Sequence, residues 1–383
     1  MAAAAFLLAV IFVVINGVTQ MYMAKGFGYK LKPTGLAYMV GAIGNLLSGS
    51  VVPISGQAET LTLSGLIKDM GERVAALLIA AVIGITLGAT GMLGKIVDFA
   101  GDSTVNGMMA GVGYILAMVG ISMVGQEKRT GLISMISAFL IYVLTGDLVY
   151  TIAGSVLLSS LDFVFGQKRR VDLNQIAIDS GSEPESEEWR FWRKEYWVDF
   201  KLLKPKFGLP ALLSGLSFIC LNIGSNISFG NITSGIAGQE PNIDALSVIN
   251  SLADVPSILF GGAPIEAIIS GTAAAPDLGS INGPWLAGIL MMAVSGILLL
   301  LGVIGKLGKY IPAQSIAGFL FIIGFNVTLV PDMKAAFAAG DPVAAAVAAG
   351  VTIISKNAFY GLVAGTVVYQ LPQLIPYLLP LAG

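Results

Sequence analysis

Apolar residues fall along this chain in fourteen stretches: near residues 2–24, 34–51, 55–67, 73–92, 104–124, 130–145 and 147–165, then 208–230, 243–260, 265–275, 284–304, 313–330, 342–354 and 358–380. About 20 apolar helical residues cross a hydrocarbon core of about 30 Å, and most of these stretches approach that length. The third and tenth do not. Each is short, rich in small residues, and preceded by a break: Ser48-Gly49-Ser50 leading to Pro53, and Gly261-Gly262-Ala263-Pro264. The pattern predicts an all-α polytopic membrane protein of fourteen transmembrane segments, with broken half-helices at segments 3 and 10. Non-helical backbone at membrane depth is tolerated where it is buried in protein or lines a cavity, so the two breaks mark a candidate site.

The two groups of seven segments are related. Gly91, Gly94, Lys95, Gly107 and Gly113 recur 211 positions later as Gly302, Gly305, Lys306, Gly318 and Gly324. The same shift pairs Pro53-Ile54 with Pro264-Ile265 and Ala153-Gly154 with Ala364-Gly365. An odd number of segments per half makes the second half insert upside down, giving 7+7 inverted repeats: residues 1–165, a polar stretch at 166–206, and residues 207–383. Folds of this type bind substrate where the halves meet. The first segment starts apolar with no basic region ahead of it, and reads as a spanning helix, not a signal peptide.

Charge supports the segment count. Of 21 Lys and Arg, 19 fall in the odd-numbered loops, nine of them in the central stretch, while Lys95 and Lys334 are the exceptions. Positive loops face the cytoplasm, which would leave both ends of the chain outside. In the central stretch, Ser180–Glu188 reads as flexible. Trp189, Trp192, Tyr196 and Phe200 then recur at helical spacing among Arg190, Arg193 and Lys194. That predicts an amphipathic helix at the lipid headgroups; a docking surface for a partner is the sharper alternative.

Composition narrows the chemistry. The chain is 55% hydrophobic and 11% charged, against roughly 25% charged in soluble domains, with mean hydropathy +0.83. The net charge of −2 offers no basic face for nucleic acid. Without histidine, and with Cys220 as the single cysteine, the chain has neither a Ser-His-Asp triad nor a cysteine or histidine metal site. No nucleophile–base pair stands out, so an enzyme is not expected, and no cofactor is implied beyond a coupling H+ or Na+. The glycines at 107–113 lack the Lys-Ser/Thr of a phosphate loop and read as helix-packing positions.

Ionisable groups within the bilayer default to functional hypotheses. Glu266 follows Pro264 and would occupy the first turn of the broken tenth helix, where N–H groups and the helix dipole favour a carboxylate; its plainer reading is a cap on its own helix. Glu59, beside Gln57 in the matching third helix, could face the same cavity and take the coupling ion, or could bond to the other half. Asn222, Ser225 and Asn226 interrupt segment eight as Asn16 and Gln20 interrupt segment one. They line a cavity or simply join helices. Asp254 reads as a water-exposed residue near the end of segment nine, and Asn326 and Thr328 as packing or local backbone bonds.

The run from Ala245-Leu246-Ser247 through Gly261-Gly262-Ala263-Pro264-Ile265-Glu266 to Ser270-Gly271-Thr272 resembles the tenth-helix signature of the nucleobase–cation symporter family (nucleobase–ascorbate transporters). The closest branch is that of the guanine, hypoxanthine and adenine permeases. Ile311-Pro312 through Gly324, Gly361–Tyr369 and Ala5–Gly17 are similar to other helices of that family. The resemblance implies core and gate domains, an elevator or rocking movement, a possible homodimer, and cation-coupled uptake of a purine-like base in a bacterial or archaeal cell membrane. It also implies that Glu266 binds the base, with Gln57, Glu59, Asn222, Ser225, Asn226, Ala263 and Ile265 completing the site and Glu59 and Glu266 handling the coupling ion. Segment eight departs from the family, with Asn222, Ser225 and Asn226 where a second acid is usual. Two alternatives remain: an anion transporter or channel of sulfate-permease-like architecture, and a non-transporting membrane subunit that anchors a partner through residues 166–206.

Overall fold

The computed structural model describes residues 2–146, 148–166, 194–307 and 312–378, apart from some helical side chains. Its first half runs α1 (Ala2–Gly26), α2 (Leu31–Ser48), β1 (Ile54–Ser55), α3 (Ala58–Gly65), α4 (Met70–Thr90), α5 (Leu93–Ala100), α6 (Asp102–Gln126), α7 (Lys128–Thr145) and α8 (Leu148–Leu161). The second half runs α9 (Leu209–Ile236), α10 (Ile243–Leu259), β2 (Glu266–Ala267), α11 (Gly283–Leu300), α12 (Val303–Leu307), α13 (Ala317–Ile322), α14 (Val330–Ala338), α15 (Pro342–Ser355) and α16 (Ala358–Leu378). Among the described residues, six helices are long and apolar enough to cross a membrane. Large apolar side chains such as Leu47, Leu144 and Ile354 stand exposed on the helices. Such an apolar exterior suits lipid, not water.

The repeat is visible in which helices touch. α2 packs on α11, and its counterpart pair under the 211-residue shift, α10 on α4, packs likewise. The pairs α15 with α6 and α7 with α13 correspond in the same way, as do α7 with α8 and α15 with α16. Gly113 and Gly324, themselves repeat mates, face each other: a Cβ on Gly113 would lie 2.7 Å from the Gly324 carbonyl, and one on Gly324 2.5 Å from the Gly113 carbonyl. The local two-fold therefore passes between two residues that must lack side chains.

These contacts sort the helices into two bundles. α1 to α4 and α9 to α11 form one; α6, α7 and α13 to α16 form the other, with α8 packed on α7. Contacts of α9 with α16 and of α3 with α6 join them.

The breaks are built as read from the sequence on one side only. Gly49 ends α2 in the left-handed conformation at φ +73°, and the chain then runs extended into β1. β1 pairs antiparallel with β2, Ile54 opposite Ala267 and Ser55 opposite Glu266. This two-stranded crossing gives partners to backbone groups that lipid could not satisfy. Side chains bond further carbonyls: Asn45 Nδ2 donates to Val52 O at 2.7 Å, Gln57 Nε2 to Ala267 O at 2.7 Å and Thr233 Oγ1 to Ile268 O at 2.8 Å. Beyond β1 the chain forms the eight-residue helix α3. Beyond β2 it forms only a 3-10 turn, Gly271–Ala274. The expectation that Glu266 opens a half-helix is thus corrected. Glu266 is a strand residue, because Ala263 to Ser270 spend their backbone bonds on other elements and leave no helical ladder to start.

The central stretch also differs from expectation. Residues 194–200 form a 3-10 turn, with Tyr196 and Asp199 buried inside the protein and Trp197 exposed. Trp189, Arg190, Trp192 and Arg193 lie outside the described residues.

Candidate functional site

The carboxyl of Glu266 is buried where β1 and β2 cross. Ser225 Oγ donates to its Oε2 at 3.0 Å. Thr60 and Asn222 flank the same carboxyl, and the Thr60 hydroxyl has no partner in hydrogen-bonding geometry. Behind them, Asn226 lies 2.8 Å from Asn222 and 2.6 Å from Asn250, forming a buried amide chain. Asn222, Ser225 and Asn226 belong to one helix, α9, and reach the crossing because residues three and four apart on it share a face.

Asp254 is the residue the sequence reading misplaced. It is 7% exposed, well inside α10, and its Oδ1 accepts the Ile265 N–H at 2.7 Å. The Glu266 charge bears on it. Ser247, Ser251 and Asp254 follow one another at spacings of four and three, which is one face of a helix; that stripe was the available signal. A small cavity, with room for little more than a water molecule, lies among Glu266, Asp254, Asn222 and Ser251, walled by Leu77, Ala80, Ala81 and Phe218.

Glu59 enters from the other side, in the first turn of α3. Its carboxyl turns back to its own N–H, so the self-capping role considered for Glu266 belongs to Glu59. Its Oε1 also accepts from Thr328 Oγ1 at 3.4 Å, a contact from the second bundle. Thr328, read as packing, is therefore part of the site. Gln57 spends its amide nitrogen on Ala267 O, while its Oε1 is buried and unpartnered. Ala263 and Ile265, fully buried, take part through backbone: Ala263 N–H donates to Thr34 Oγ1 at 2.8 Å, and Ile265 N–H to Asp254. Gln20 Oε1 receives the Ser55 hydroxyl at 3.4 Å. The side chain of Asn16 lies outside the described residues.

Among the described residues, no Lys or Arg side chain sits against Glu59, Asp254 or Glu266. No three acidic or thiol groups among the described residues converge as a metal ion would require. The site is a set of buried acids surrounded by hydroxyls and amides.

No known protein family and no curated protein matches this chain. Solved structures do. The transmembrane domain of the cyanobacterial bicarbonate transporter BicA is similar at TM-score 0.62 and 16% identity, over 94% of this chain and 97% of that one. The overall structure of SLC26A9 matches at TM-score 0.56 and 14% identity over 94% of this chain, which spans 65% of the SLC26A9 length. The murine SLC26A9 anion transporter in its inward-facing state matches at TM-score 0.57 and 12% identity, over 94% and 68% of the two chains. The fold is thus that of polytopic helical transporters. The resemblance to nucleobase–cation symporters is corrected: the similar structures are of a bicarbonate and an anion transporter. The residue that carried the resemblance, Glu266, stands on a strand and not in a helix turn.

Proposed function

We propose that this protein is a secondary-active transporter that moves a small anion together with a cation, at the crossing of its two broken segments. The observation that carries the reading is the group of buried carboxyls there, Glu59, Asp254 and Glu266, with no cationic side chain against them among the described residues. Charges removed from water need a counter-charge or a proton. An anion entering between such acids therefore has to come with H+ or a small cation, which is what coupling means.

The cavity supports a small coupling species. Its polar lining is two carboxyls, an amide and a hydroxyl against an apolar wall, a set suited to a proton-bearing water or a monovalent cation. The first turn of α3 presents the positive end of a helix dipole for the anion, beside the Thr60 hydroxyl. The transport of bicarbonate and other anions by proteins of this fold supports the same substrate class.

Uptake into proteoliposomes tests it, with bicarbonate, chloride, formate and sulfate as probes and uracil and hypoxanthine as controls. At least one anion should accumulate when an inward H+ or Na+ gradient is imposed. Glu266→Gln should reduce that gradient-driven part by about tenfold or more, a coupling loss of about 1.4 kcal/mol. Accumulation of no anion, or accumulation indifferent to both gradients, would sink the proposal.

A further inference from the structure

The carboxyls of the crossing do not end at Glu59. Thr328 closes a π-helical turn, Ile323–Leu329, and donates to Glu59 from the second bundle. Asp332 lies four residues on, at the start of α14, so it shares the face of Thr328 that looks toward Glu59. It is 8% exposed, its Oδ2 has no partner, and Glu59 is the charged group that bears on it. Glu59 is faced by Thr328 from this element and by Glu266 from β2. Around the pair stand hydroxyls and amides, with no Lys or Arg among the described residues.

We infer that Glu59 and Asp332 share one proton across the boundary between the two bundles, and that parting of the bundles is what separates them. The inference rests on the cation-coupled reading above and gives it a mechanism. Two buried carboxyls in each other's field cannot both ionise cheaply, so one proton is retained while they face each other. Glu59 rides on α3, which packs with α1 and α9 and meets α6 across the boundary; Asp332 rides on α14, which packs with α6 and α15. A movement of one bundle against the other changes this contact without changing either element internally. Proton binding and bundle position are then linked, each biasing the other by the same free energy. The π-helical turn fits the role, since such turns recur at functional sites. Here it lies where the backbones of Gly113 and Gly324 meet. Asp332 acts as a positioning residue for the proton on Glu59, not as a contact of the anion.

The test is a pH titration of purified protein in lipid, read by difference infrared absorption of protonated carboxyl groups. It needs no substrate. Asp332→Asn removes one of the two charges, so the Glu59 midpoint should fall by about one pH unit or more. Glu59→Gln should lower the Asp332 midpoint in the reciprocal way. Thr328→Val keeps both acids and removes one hydrogen bond to the ionised Glu59, so it should raise the midpoint; being isosteric, it guards against a fold defect in the other two. Midpoints unmoved by folded Asp332→Asn and Glu59→Gln would overturn the shared proton. Since the titration is independent of uptake, a failure of anion transport leaves it readable. Conversely, gradient-driven uptake with non-reciprocal titrations would leave the transport reading standing and overturn this mechanism.

Discussion

At the scale of single residues, Arg73 shows how a charge can be structural in a membrane protein. It is 1% exposed. Its Nη1 donates to Phe27 O at 2.7 Å, its Nη2 to Gly65 O at 3.2 Å and Ile67 O at 2.6 Å, and its guanidinium stacks over Tyr29 at 4.8 Å. These carbonyls lie at the C-terminal ends of α1 and α3, where helices leave acceptors unpaired and favour a cation. Arg73 thus fixes the far end of the half-helix whose near end carries Glu59. Arg73→Ala should cost about 3 kcal/mol or more, seen as a fall of several degrees in detergent melting temperature. Arg73→Lys should recover only part, because an ammonium lacks the planar fork. Equal melting of the three proteins would refute the assignment. In the sequence Arg73 is one more topogenic charge. Nothing local reveals that it folds inward, because its acceptors come from separate stretches of chain. Glu266 and Ser225 are different: their membrane depth alone marks them, and the structure does bring them together.

At the scale of elements, the segment before α9 is a strap across the ends of the first bundle. Lys32 of α2 pairs with Asp199 at 2.7 Å with both side chains buried, and Lys32 also lies 5.0 Å from the Tyr196 ring centroid. Leu203 N–H donates to Leu259 O at 2.9 Å, and Lys206 reaches Asp69 at 2.5 Å. Removing one partner of a buried pair costs about 3–5 kcal/mol, whereas replacing both by apolar groups is often neutral. Asp199→Asn should therefore lower the melting temperature strongly, and Lys32→Met with Asp199→Leu should restore most of it; a double variant no better than the single one would contradict this. The outer staple behaves differently. The bond from Lys206, with that from the Glu72 N–H, holds the Asp69 carboxyl below the usual carboxylate range. A depressed value in the fold means stability present above an unfolded value of about 4, lost as pH falls through the folded one. Both groups are largely exposed, so the effect is small and screened by salt. The protection of the 203, 204 and 206 amides against hydrogen exchange, taken relative to their intrinsic rates, should fall at acid pH or high salt in the native protein and show no such dependence in Asp69→Asn. The sequence pattern suggested a lipid-facing helix here because aromatic spacing cannot tell a membrane from a protein surface. Tyr196 and Asp199 face protein because the ends of α2 and α11 offer a charge and a carbonyl, the latter accepting from Tyr196 at 3.1 Å.

At the scale of the whole molecule, the duplication was legible because small residues survive where backbones touch. Gly113 and Gly324 keep their register for the reason their Cβ positions show, and alanine at either should force α6 away from the π-helical turn. What stayed illegible was asymmetry between the halves, such as α3 against the Gly271–Ala274 turn, since the repeat implies equal partners. The loops give a last prediction. The Lys30 N–H bonds Gly261 O, Arg73 bonds Phe27 O, and Lys206 bonds Asp69, so the positive loops collect at one end. At the other end the turn after α4 meets the start of α10, with Gly91 beside Asp244. Basic loops stay on the cytoplasmic side, so Lys204 should be inside and the exposed Glu240, in the turn before α10, outside. Cys220 is buried, which leaves introduced thiols readable against a quiet background. A membrane-impermeant maleimide should label Glu240→Cys in intact cells and Lys204→Cys only after permeabilisation. The reverse pattern would mean that the charge bias does not set the orientation, and that the proton released between Glu59 and Asp332 is delivered in the opposite direction.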